Sequence, residues 1–172
     1  MIPSLGFSQL AGQGSLEYLQ LCKGFKDITL GADANLIPAY KLAFLDGDAI
    51  PDADGCFKFE YKDKDILEFG DGLFLDLVGI RTYKNKIVNI YLFFKREDGY
   101  KILHDFMDNY GQPSSKTGDF IYDWETNSVN LSLRYKANTD DLGVVIYSVN
   151  GLENKLHLNT LSNNSTIAQL TH

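Results

Sequence analysis

The sequence predicts an α+β fold, an antiparallel β-sheet with helices packed on one face, and its element order is open to a description as two fused helix–three-strand halves. Three observations carry that prediction. Residues 87–95 alternate, with Val88, Ile90, Leu92 and Phe94 on one face and Asn89, Tyr91 and Phe93 on the other, as in a strand lying on a core. The period then changes: Tyr100, Leu103, Phe106, Met107 and Tyr110 recur at three- and four-residue steps, one stripe of an amphipathic helix. Beyond it, residues 120–124, 129–135 and 142–149 form short apolar or alternating runs joined by turn residues, which reads as an antiparallel meander.

Taken in order, residues 15–22 suit a short helix with Ser15 as N-cap. Residues 25–30 alternate as a short strand that Gly31 ends. Residues 32–45 hold a second candidate helix, with Pro38 as its weak point. Residues 57–61 predict a strand with Phe57, Phe59 and Tyr61 inward, and residues 66–69 a shorter one. Residues 73–95 read as a hairpin turning at Tyr83-Lys84-Asn85-Lys86, where Asn85 tolerates positive φ. Asp98 is the expected N-cap of the 100–110 helix, Gly111 its left-handed close, and Pro113 its stop. The chain thus divides into an N-terminal segment (1–24), an α+β domain (25–149) and a polar C-terminal tail (150–172). Residues 1–9 look like the end of a secretory signal, with small residues at Gly6 and Ser8, or like an ordinary flexible terminus.

Composition narrows the function. A chain of 172 residues, 44% hydrophobic and 13% aromatic, is ample for one packed core. No run approaches the roughly 18 apolar residues of a membrane span, so no transmembrane segment is expected. The formal net charge of −7 comes without a Lys/Arg cluster, which disfavours nucleic acid as a partner. Cys22 and Cys56 have no CxxC partner or nearby histidine; they predict either one disulfide in an oxidising compartment or two free thiols.

Candidate sites are sparse. Asp46, Asp48, Asp52 and Asp54 crowd hard oxygen ligands around glycines, a composition that suits Ca²⁺. Fitted to the helix–loop–helix calcium pattern, however, the loop puts Ile50 and Tyr61 where ligands must stand, so it reads as a solvated acidic turn. No other cofactor is expected. His104 lies near Asp105 and Asp108 without a further strong ligand. There is no G-x-S-x-G elbow, no phosphate-binding G-x-x-x-x-G-K and no cysteine beside a base, so no catalytic residue is nominated. Asn130-Leu-Ser132 fits the glycosylation pattern, relevant only on a eukaryotic secretory route. The remaining signal is aromatic. Asn89, Tyr91 and Phe93 share a face; left open it would be a binding surface, although the expectation is that helices cover it.

Phe25-Lys-Asp-Ile-Thr-Leu-Gly31, the alternating hairpin, the helix ending Asn109-Tyr-Gly-Gln-Pro113 and Tyr122-Asp-Trp124 together resemble small secreted or periplasmic bacterial domains. The repeated helix-plus-sheet order over residues 25–149 is similar to the β-lactamase-inhibitor-protein-like architecture. That resemblance implies a protein partner by fold analogy and carries over no catalytic residue. The expectation is therefore a non-catalytic binding or interaction domain, exported to the periplasm or secreted. The alternatives are an enzyme whose carboxylates and tyrosines meet only in the fold, and a cytoplasmic immunity-type inhibitor.

Overall fold

The hairpin expected over residues 73–95 is realised over residues 77–95 as the longest hairpin of an eight-stranded antiparallel sheet, while Leu73–Phe74 pair instead with Glu68–Gly70. A computed structural model describes residues 12–45, 49–70, 72–135 and 142–151. The expectations for residues 1–9, for Asp46 and Asp48, for the 137–141 turn and for the tail beyond Gly151 lie outside the described residues. Helix α1 is Leu16–Cys22. The sheet strands are β1 (Leu42–Phe44), β2 (Phe57–Tyr61), β3 (Leu77–Tyr83) and β4 (Lys86–Lys95). Helix α2 (Gly99–Tyr110) follows, then β5 (Ser115–Thr117), β6 (Ile121–Glu125), β7 (Val129–Arg134) and β8 (Leu142–Val149). Their order across the sheet is β1-β2-β3-β4-β8-β7-β6-β5. The two longest strands, β4 and β8, meet in the middle of the sheet through seven residue pairs.

Local chemistry explains the turns. Lys84 and Asn85 both take positive φ, +49° and +62°, the conformation of a two-residue hairpin loop that matches strand twist. One row of the sheet, Ile80, Ile90, Leu92, Val145, Tyr147, Leu131 and Leu133, is buried. Across from it, α2 buries Ile102, Leu103, Phe106 and Tyr110. The Phe106 ring meets Trp124 of β6 and Tyr147 of β8 edge-on, at 5.7 and 6.4 Å between centroids. Leu19 of α1 joins the same core, and Tyr18 lies against Tyr110. Phe94 lies across Gly143, so closely that a Cβ there would come within 2.3 Å of its ring.

Several expectations are corrected. A bulge between Arg81 and Thr82 sets Ile87 opposite Thr82, and Ile87, not Val88, continues the core row; Val88 packs instead with Cys56. Residues 32–45 form no α-helix. Pro38 forces Ile37 into an extended conformation, which leaves 3₁₀ turns at Ala34–Leu36 and Ala39–Lys41 and then strand β1. The single strand of 25–30 is a tight two-residue ladder, Gly24–Phe25 on Ile28–Thr29, which buries Phe25 and Ile28 side by side. Residues 64–67 are a 3₁₀ turn before a short strand at Glu68–Gly70. Asp98 makes no side-chain cap, because a 3₁₀ turn at Arg96–Asp98 runs directly into α2; it pairs with Lys101 instead. Tyr100, placed on the buried stripe, is exposed, and Ile102 takes its place. Gly111 ends α2 at φ +78°, ψ −166°, an extended mirror-image conformation rather than the left-handed helical one.

Cys22 and Cys56 are both free thiols, the first exposed and the second buried. The expected alternative of a disulfide between them fails because the sheet stands between the two. Cys22 neighbours Tyr18 and Tyr110 on the α2 side, whereas Cys56 neighbours Arg81 and Asp52 on the other.

Candidate functional site

The face of the sheet turned away from α2 carries a polar trough of about 450 Å³. Strand pairing builds it row by row. Arg81, Asn89, Ser148 and Asn130 stand opposite one another on β3, β4, β8 and β7. The next row is Tyr91, Ile146, Ser132 and Asp123 on β4, β8, β7 and β6. Arg134, one row further on β7, closes the rim, and Val149 to Gly151 form one end.

Asparagine is depleted in strand interiors because its carboxamide competes for backbone partners and packs poorly. Two of them in one cross-strand row of the central strands, with Ser148 between, therefore need an explanation beyond packing. Asn89 is only 8% exposed, yet its Oδ1 has no hydrogen-bond partner among the described residues, and the Oδ1 of Asn130 is buried in the same condition. Each such acceptor costs about 1–3 kcal/mol when unsatisfied. Ser148 donates weakly to the Asn130 carbonyl at 3.4 Å and does not relieve either carboxamide.

Electrostatics divide the trough. At one end Arg81 donates to Asp52 at 2.9 Å and to Asp54 at 2.6 Å, so its charge is already matched. Asp52 also accepts the amides of Asp54 and Cys56, which turns the acidic loop into a clasp over the sheet. Burial tends to raise the Asp52 pKa, but the Cys56 amide and the Arg81 guanidinium outweigh it and hold the carboxyl below its usual range. At the other end Arg134 donates its Nε to Ser132 and pairs with no carboxylate among the described residues. Asp123 accepts only a 3.3 Å bond from Ser115. Burial pushes the Tyr91 phenol up, so it stays protonated at neutral pH.

Two of the three residues nominated from the aromatic face, Asn89 and Tyr91, line the trough. Phe93 lies one row beyond, its ring 6.5 Å from that of Tyr91. No residue of α1 or α2 lines it, so the expected helical cover is missing there. Of the four aspartates nominated for a metal, Asp52 and Asp54 close on Arg81, which supplies the positive charge a cation would bring. Among the described residues, no three His, Cys, Asp or Glu side chains converge on a metal position. His104 sits on α2 with its ring against Tyr100. Arg81, Asp123, Arg134 and Ser148 were not singled out from sequence, and Asn130 and Ser132 only as a glycosylation pattern. Their one signal is the polar set Asn130, Ser132 and Arg134 on alternate positions of β7, legible as an outer face but not as a partner to Asn89.

Asp52→Asn tests the clasp. A carboxyl whose folded pKa is lowered contributes stability above its unfolded value of about 3.9, and that contribution is lost as pH falls through the folded value. At pH 7 the variant should lose about 1–3 kcal/mol, the range for hydrogen bonds to a charged group. As pH falls through the folded value the difference from the native chain should close. Urea unfolding followed from pH 7 down through that range measures it; a loss that does not change with pH would show that charge is not the cause.

Among the described residues no helix is long and apolar enough to cross a membrane. Comparison of the chain with protein-family models, with curated proteins and with solved structures finds no match.

Proposed function

We propose that the protein is a non-catalytic binding domain, exported from the cytoplasm, that seats its ligand in the polar trough of the central sheet. The observation that carries this reading is the pair of buried, unpartnered acceptors, Asn89 Oδ1 and Asn130 Oδ1, lining one concavity. A fold gains nothing from keeping such atoms unsatisfied, whereas a ligand donor repays their cost on binding. The guanidinium end of Arg134, which pairs with no carboxylate among the described residues, adds a charged contact at the rim. In this reading the sheet is two fused halves meeting at β4 and β8, with both helices on the far face. That is the arrangement of the β-lactamase-inhibitor-protein-like architecture, and it leaves one face for recognition.

A second reading has its own observation. Leu36 and Tyr40 are 82% and 80% exposed beside the free edge strand β1, next to a groove containing Phe44, Phe57 and Phe59. Exposed apolar side chains beside an unpaired edge suit a protein partner. One experiment separates the two. Amide-resolved NMR of the full chain, titrated with a library of small polar molecules and short peptides, should give saturable shifts centred on Asn89, Asn130 and Ser148. Shifts collecting on Leu36, Tyr40 and Phe44 would favour the edge instead. Turnover of any library member that one point substitution abolishes would overturn the non-catalytic reading.

A further inference from the structure

Given that the trough is the ligand seat, its chemistry narrows the ligand. We propose that it binds an anionic sugar, a pyranose carrying one carboxylate or phosphate group. The donors and acceptors are complementary to that class and to few others. Asn89 and Asn130 present carboxamide oxygens that lack a donor, and sugar hydroxyls are donors of the right size. The terminal torsion of an asparagine is soft, so each oxygen can turn toward a hydroxyl without the strand moving. Asp123, held only by Ser115 at 3.3 Å, is a third acceptor on the adjacent strand. A neutral polyol would leave Arg134 unmatched. Its Nε is committed to Ser132, while the two terminal nitrogens stand at the rim in the fork geometry that takes a carboxylate or phosphate. Arg81 cannot play this part, because Asp52 and Asp54 already neutralise it.

The hydrocarbon face of the ring has a counterpart as well. Tyr91 lies on the trough floor beside Ile146, an aromatic surface against which the C–H face of a pyranose packs while its hydroxyls point to the asparagines. About 450 Å³ holds one or two such rings.

The test is a titration of the isotope-labelled full chain with sodium glucuronate, glucose 6-phosphate and glucose, read at backbone and asparagine side-chain amides. One of the two anionic sugars should give saturable shifts at Asn89, Asn130 and Arg134, binding at least about tenfold tighter than glucose. Whichever of the two binds tighter identifies the anionic group. Arg134→Gln, an exposed substitution, should remove the preference for the charged sugar and keep the weak response to glucose. Asn89→Asp places a charge at the buried position and should weaken both anionic sugars. Absence of saturable shifts with both anionic sugars up to about 10 mM, or equal affinity for glucose, overturns the proposal. If other library members still shift the trough residues, the anionic-sugar inference falls and the binding-domain reading stands; if nothing shifts them, both fall.

Discussion

Trp124→Ala lowers stability by about 3–5 kcal/mol, the range for emptying a buried large aromatic site. At about 2–4 °C per kcal/mol for a chain of this size, the melting temperature falls by roughly 6–20 °C. Trp124 is fully buried, its ring meets Phe106 at 5.7 Å, and its Nε1 donates to the Gly111 carbonyl at 2.9 Å. The substitution therefore opens a cavity under α2 and also removes the donor that holds the helix end. Trp124→Phe separates the two losses: it keeps most of the ring and forfeits the hydrogen bond, at about 1 kcal/mol beyond any volume change. Thermal and urea unfolding read both variants; a loss below about 1 kcal/mol for alanine would mean that the site collapses around the gap.

Gly111→Val should come next, at about 3 kcal/mol or more, because two penalties coincide there. The backbone at φ +78°, ψ −166° lies in a region that essentially only glycine occupies. A Cβ would also stand 2.8 Å from the Gly14 carbonyl oxygen, in the turn that ties residues 12–15 to the end of α2 through the Gly14 amide and the Asn109 carbonyl. Gly118→Val is the control. Gly118 has φ +61° with nothing near its absent side chain, so only the left-handed strain of about 1–2 kcal/mol applies. Equal losses at both positions would show that the close approach to Gly14 yields easily.

What the sequence made legible was whatever depends on neighbours in the chain. The period of β4, the stripe of α2, the Lys84-Asn85 turn and the meander of β6, β7 and β8 all follow from local spacing. What it hid depends on pairing across the sheet. Nothing in residues 87–95 says that Asn89 will stand opposite Ser148, or that Ser148 will stand opposite Asn130, so a trough drawn from five strands was invisible. The bulge at Thr82 was hidden for a related reason: an extra residue in one strand shows only against its partner, and it reversed the reading of Ile87 and Val88. The 32–45 segment failed differently. Pro38, its weak point, decided it by fixing the residue before it as extended.

The seam between β4 and β8 must also be kept from slipping. Strand side chains repeat every two residues, so sliding β4 by one position would turn Asn89 and Tyr91 into the core and expose Ile90 and Leu92. Phe94 and Gly143 oppose such a shift. The ring fits where it does because the residue opposite has no side chain; one step either way sets Leu142 or Val144 beneath it, and a two-step slide brings Val145. One glycine paired with one phenylalanine thus acts as a key and keyhole for the alignment of β4 with β8, and the polar row exists only while that key is seated.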